Sequence, residues 1–176
     1  MSNIFFCADQ HFHHKNILTF LKDDGSKLRE FADITHMNEW LVYRHNLVVQ
    51  PNDKVYFLGD VTMSRNAKGL EILARMNGEK ILIKGNHDLC APEHYLKYFK
   101  DIRAVHQFDG MVLSHVPIHT ASLDRWGMNV HGHLHDGVVR MPLSQIPDHR
   151  YFCVSMERID YTPISLEQVR AASKVR

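Results

Sequence analysis

Five short groups of residues in this chain carry side chains able to do chemistry together: Asp9-Gln10-His11, Gly59-Asp60, Gly85-Asn86-His87-Asp88, His115, and Gly132-His133-Leu134-His135. A carboxylate and an imidazole two residues apart can both turn toward one cation. The amide oxygen, imidazole and carboxylate of Asn86, His87 and Asp88, in a row, suit a cation and a phosphate. Taken singly each group is ordinary, since Asn, His and Asp also suit common turns. The chain has 14 histidines, however, and they cluster as His11, His13, His14 and again as His131, His133, His135. Clustering is what a metal site needs.

The elements that must position these groups can be read from the apolar runs before them. Ile4 to Ala8 reads as a buried strand that ends in Asp9 and His11. Lys54 to Asp60 is a second apolar run ending in Gly and an acid, and Ile81-Leu82-Ile83 is a third, followed by Gly85, where the backbone is expected to turn sharply. Between them the sequence predicts a short helical segment over 15–21, a longer helix capped by Thr35 with Met37, Trp40, Leu41, Leu47 and Val48 on its apolar positions, and a crossover helix over 66–76. Alternating strands and helices predict a parallel sheet with helices on its faces, and ligands bind at the carboxyl ends of such strands.

The second half changes character. A helix is expected over 92–99, then shorter strands over 104–108, 111–114, 129–132 and 151–155, with Asp109-Gly110 as a hairpin turn. Two of these strands again run into histidine, at His115 and at His131 to His135. Residues 136–148, with a Gly and two Pro, read as a loop, and a last helix starts after Ser165 with Gln168 closing a capping box.

Composition narrows the class. At 176 residues, with 44% hydrophobic and 23% charged residues, the chain is expected to form a single soluble globular domain over 1–176. A net charge of +1 supplies no basic field of the kind that nucleic-acid readers use, although a nucleotide or a nucleic-acid end stays open as substrate. Three widely spaced cysteines, Cys7, Cys90 and Cys153, make no disulfide framework, so they are expected to be reduced thiols. With neither a signal-like start nor a long apolar stretch, the expectation is a cytoplasmic protein without membrane partners.

In this order, and each at the end of an apolar run, the five groups resemble the calcineurin-like metallophosphoesterase superfamily, whose blocks are D-x-H, G-D, G-N-H-D/E, H and G-H-x-H. The resemblance covers roughly residues 3–157 and is closest to the small bacterial and phage-type members. It implies an α/β fold, a four-layer α/β/β/α sandwich of two mixed sheets flanked by helices. It also implies a dinuclear metal-dependent phosphoric ester hydrolase in which a metal-bridging hydroxide attacks a small phosphomonoester or phosphodiester. Asp60 would bridge two divalent ions, with Asp9, His11 and His135 on one and Asn86, His115 and His133 on the other. Such a mixed oxygen and nitrogen set suits manganese first, with iron, zinc or nickel as alternatives, better than calcium or magnesium. Catalytic roles would fall to His87, to Asp88 as its orienting partner, and to Asn86. Gly132 would let His133 and His135 reach different ions from one tight turn.

Around these blocks, His119 suits a substrate contact. Arg65 suits either a bidentate hold on phosphate or a surface cation at a helix start. His13 and His14 read as solvated loop residues and His131 as buried behind the site. The departure from the family pattern, Cys153, lies on a strand expected to be remote from the ligands. Two other classes remain in view: a non-catalytic scaffold on the same fold, and a metal-binding or sensing protein built from the surplus histidines.

Overall fold

A computed structural model describes residues 2–64 and 66–174. Two sheets face each other. The first has strand order β4-β3-β2-β1-β9, from β1 (Ile4–Cys7), β2 (Lys54–Phe57), β3 (Glu79–Ile83), β4 (Asp101–Arg103) and β9 (Ile164–Ser165). Strands β1 to β4 run parallel and β9 is an antiparallel edge. The second sheet has order β5-β6-β7-β8, from β5 (Val105–Phe108), β6 (Met111–Ser114), β7 (Met128–His131) and β8 (Tyr151–Cys153). Here β5 and β6 form the hairpin expected at Asp109-Gly110, both in left-handed conformation, while β6, β7 and β8 are parallel.

The period of two along β1 and β2 explains the layering. Phe6, Ala8, Tyr56 and Leu58 turn inward and meet Leu113 and Val130 of the second sheet. Phe5, Cys7, Val55 and Phe57 turn outward onto α1 (Ile34–Val48) and the 3₁₀ helix Ala67–Arg75. Strands buried on both faces need continuous apolar runs, which is why they stand out in the sequence. The outer face of the second sheet is covered thinly by α3 (Leu123–Trp126), whose Leu123 packs on Val112 and Tyr151. The result is a four-layer α/β/β/α sandwich of two mixed sheets. The last helix, α4 (Leu166–Lys174), inserts Val169 between the sheets. Its capping box is present: Ser165 N donates to Gln168 Oε1 at 2.9 Å and Gln168 N to Ser165 Oγ at 3.2 Å.

Several local expectations change. The cap of α1 is Asp33, whose carboxylate accepts from His36 N at 2.8 Å, and Thr35 lies inside the helix. Trp40 and Leu47 are exposed; the buried face is Met37, Asn38, Leu41, Val42 and His45. The helix expected over 92–99 is one turn, α2 (Pro92–Tyr95), and the short edge strands β4 and β9 carry too little apolar pattern to be legible. No helix among the described residues is long and apolar enough to cross a membrane. Cys7, Cys90 and Cys153 are free thiols.

Candidate metal centre

The carboxyl ends of β1, β2, β3, β6, β7 and β8 meet along one edge of the sandwich. Main-chain bonds extend the pairing past the strands into the loops: Asp9 N to Gly59 O at 3.0 Å, His11 N to Asp60 O at 3.0 Å, and Gly132 N to His115 O at 3.0 Å. The two sheets join at this edge, where Ala8 bridges to Ser155 and Ala8 N donates to Val154 O at 2.9 Å. Loops pinned this way hold their side chains in one place.

They also hold unusual backbone. Asp9, His11, Asp60, His133 and His135 have φ of 59°, 50°, 54°, 69° and 52°, so five of the seven expected ligands occupy the left-handed region. Each such residue costs of the order of 1 kcal/mol or more, a strain that folded structures retain chiefly at functional sites. The glycines work by closeness. Gly85 and Gly132 need no positive φ, yet each opens a turn as expected: Asp88 N donates to Gly85 O at 3.4 Å and Leu134 N to Gly132 O at 2.8 Å. A Cβ on Gly85 would collide with the Asp60 carboxylate, and one on Gly132 would come within 2.6 Å of Asp9 Oδ2.

Two sets of three side chains converge, Asp9 with His11 and His135, and Asp60 with His115 and His133; within each, the ligand atoms lie within 4.8 Å of one another. Asp60 Oδ2 lies 3.3 Å from His115 Nε2 and 3.8 Å from His11 Nε2, so this one carboxylate oxygen stands between the sets. Asn86 Oδ1 comes 2.9 Å from His115 Nε2 and joins the second set. The ring orientations are fixed from behind. His115 Nδ1 donates to Leu58 O at 2.7 Å and His135 Nδ1 to Glu157 Oε1 at 3.0 Å, which leaves Nε2 of both rings to ligate. Asp9 Oδ2 accepts from His133 N at 2.9 Å and Ser155 Oγ at 2.7 Å, while Asp9 Oδ1 and both ring nitrogens of His11 are buried with no hydrogen-bond partner. Buried polar atoms are normally paired. A cation among these atoms would satisfy them, so the donors fit a metal.

The electrostatics agree. Burial pushes the Asp9 carboxyl up, but His11, His135 and His115 outweigh it and hold the group below the usual carboxylate range. Asp60 is also lowered: His115 and the His87 N–H overcome its burial. His115 and His135 are raised despite burial, by Asp60 and Glu157 respectively, whereas burial and the neighbouring His115 lower His133.

The expected catalytic residues divide. His87 is half-buried at the mouth, its ring 5.9 Å from that of His11, and its main-chain N donates to Asp60 Oδ1 at 2.8 Å. Asp88 does not orient it. The Asp88 carboxylate is fully buried and accepts from Asp60 N at 2.9 Å, Val61 N at 3.0 Å and Gly85 N at 2.8 Å, with Tyr95 Oη 3.5 Å away. It clamps the Asp60 loop to the Gly85–Asp88 loop, and burial pushes its pKa up. His119 is exposed and caps a short 3₁₀ turn through Nδ1, and Arg65 lies outside the described residues.

Other residues were not expected here. Arg29 is buried and donates to Asp9 O, to Gln10 O at 2.9 Å and to Glu157 Oε1 at 2.7 Å; Glu157 in turn holds His135. Burial raises the Glu157 carboxyl, but Arg29 and His135 prevail and bring it to about 2. An apolar run followed by Ser155-Met156-Glu157 repeats the strand-then-ligand grammar of the other blocks and could have revealed Ser155 and Glu157. A lone arginine in a polar loop gives no such signal. Contrary to the solvated role expected for it, His14 packs its ring 5.5 Å from that of His11, and burial brings it down to about 4. His13 is exposed as expected, and His131 is buried with Nδ1 donating to Gly132 O at 2.7 Å. The strand carrying Cys153 is not remote: its Sγ is 3.2 Å from Ser155 Oγ, which bonds Asp9.

The fold and these residues define the class, a four-layer α/β sandwich with two adjoining His/Asp sets at its strand ends. No family model matches the chain. It is 33% identical over 173 residues to the uncharacterized protein MJ1445 of Methanocaldococcus jannaschii, covering 96% of this chain and 90% of that protein, and it belongs to the same family. The protein of unknown function AQ665 from Aquifex aeolicus is similar in structure, with a TM-score of 0.67 and 27% identity over 97% of this chain and 99% of that one.

Proposed function

We propose that this protein is a two-metal phosphoesterase that hydrolyses a small phosphate monoester or diester. The observation that carries the reading is the Asp60 carboxylate, shared between two complete donor sets one of which contains buried, unpartnered ligand atoms. Two divalent ions held there, one by Asp9, His11 and His135, the other by Asn86, His115 and His133, with Asp60 common to both, would neutralise phosphate charge and activate water. The oxygen and imidazole donors favour manganese, iron, zinc or nickel.

The remaining work falls to the protein itself. Glu157 and Leu58 O fix which nitrogen of His135 and His115 is available. Asp88 sets the spacing between the Asp60 and Asn86 loops. His87, close to His11 yet open at the mouth, holds the proton that passes to the leaving oxygen as the P–O bond breaks. Hydrolysis then yields phosphate, or a monoester from a diester, together with the free alcohol. Wild-type protein loaded with Mn²⁺ is expected to turn over p-nitrophenyl phosphate, its bis-ester or a cyclic nucleotide. Full metal loading without turnover of any of them would favour a metal-binding or scaffold role.

A further inference from the structure

A groove of about 460 Å³ opens beside the first donor set, and the proposed chemistry leaves its shape unexplained. Phe20 and Leu21 line it from the loop after the 3₁₀ helix Lys15–Thr19, and Leu134 and His135 from the turn after β7. His135 belongs also to the donor set, so the groove leads directly to it. A row of rings marks the path: His11 lies 5.1 Å from His135 and 5.5 Å from His14, and His14 stands edge-on to Phe20 at 5.6 Å.

Phe20 is 44% exposed and Leu21 63%, yet their loop is tightly pinned. Leu28 N donates to Phe20 O and Lys22 N to Ser26 O, both at 2.8 Å, and Asp24 Oδ1 accepts from Ser26 N and Oγ at 2.9 and 2.6 Å. The groove thus sets an apolar wall of Phe20, Leu21, Leu28 and Leu134 against a polar one of charged and imidazole side chains, and its volume lies within the usual range of small-molecule sites. Among the described residues that line the groove, Lys22 is the one cation. Asp23, Asp24 and Asp136 are carboxylates; Asp136 pairs with Lys22 at 3.9 Å, which links the two loops, and with Arg158 from outside the groove at 4.0 Å, so the net negative charge rests on Asp23 and Asp24. This excess of negative charge opposes a second phosphate, and so opposes a polynucleotide, which carries one at every residue.

We infer that the groove receives the organic part of the phosphate ester, and that this part is a flat, uncharged ring of aryl or nucleobase size bearing a single phosphate. The inference rests on the phosphoesterase reading for its phosphate end and on the groove alone for its ring end. The test compares phenyl phosphate, adenosine 5′-monophosphate and glycerol 2-phosphate as substrates of the Mn²⁺-loaded protein, with equilibrium binding of adenosine and of benzyl alcohol measured in parallel.

The wild type is expected to prefer the two ring esters to glycerol 2-phosphate, with the larger of the two preferences identifying an aryl or a nucleoside substrate. Phe20→Ala is expected to reduce that preference about tenfold, through KM, and to weaken binding of the free ring compound similarly. Asp23→Lys, an exposed change that leaves the apolar wall intact, should improve adenosine 3′,5′-bisphosphate relative to the monophosphate. No ring preference in the wild type, or one unchanged by Phe20→Ala, would overturn the inference. If none of these monoesters, nor bis-p-nitrophenyl phosphate assayed beside them, is cleaved, the phosphoesterase reading fails by itself, and ring binding still decides the groove: binding weakened by Phe20→Ala upholds it, and absent or unaltered binding refutes it.

Discussion

His87 stands beside His11 at the mouth of the site, while the next carboxylate, Asp88, turns inward under three main-chain N–H groups. The two residues should therefore fail differently. His87→Ala is expected to keep its metal content and fold and to lose roughly 10²–10⁴ in kcat, the usual worth of a general acid. The loss should shrink with p-nitrophenyl phosphate, whose leaving group needs no proton; an equal loss on alkyl esters would reduce His87 to a positioning role. Asp88→Ala strands three buried donors and should cost about 3 kcal/mol or more of stability. Urea unfolding measures this, and an unchanged midpoint would contradict the clamp. The sequence could name both residues because they share a block, but it could not show which way the carboxylate turns. That direction depends on Asp60 and Val61, 27 or 28 residues away. Arg29 escaped notice for the same reason, since its partnership with Glu157 spans 128 residues.

At the scale of elements, α1 carries an acid-sensitive group that belongs to neither donor set. His45 is buried in its last turn, with Nε2 donating to Asn77 O at 2.9 Å, and burial brings it from 6.5 to about 4. The folded protein therefore resists a proton that the unfolded chain accepts. The resulting stability is whole above pH 6.5 and is lost as pH falls toward 4, by roughly 3 kcal/mol over that window. His45→Gln can still donate to Asn77 O but cannot titrate, so its stability should fall less steeply between those pH values. Identical slopes for variant and wild type would show that His45 is not the group responsible. The helix itself was legible from its apolar spacing, although its cap was not: Asp33 and Thr35 are both good caps by type. Ile34 packs against the core, which favours starting the helix there. The strands β1, β2 and β3 that end in candidate ligands were the clearest elements, because burial on both faces demands unbroken apolar runs, whereas the edge strands β4 and β9 had no such demand.

The whole molecule brings six strand ends from two sheets to one seam, closed by the bridge of Ala8 to Ser155. That the five blocks would meet was expected from the apolar run before each and from their resemblance to a known family pattern. The left-handed backbone at five candidate ligands and the pinned groove beside them were not anticipated, because they arise only when the loops are drawn together. Asp60 lies at the centre of this assembly, its main-chain N held by Asp88, one carboxylate oxygen by His87 N and the other between the two sets. The most direct measurement is the metal content of purified Asp60→Ala beside the wild type, after equilibration with Mn²⁺ and removal of free ion, with phosphoester turnover assayed on the same samples. The wild type should hold two ions per chain and be active, and the variant should retain its fold, lose at least one ion and be inactive. Two fully occupied ions in Asp60→Ala would contradict the shared carboxylate on which the account depends.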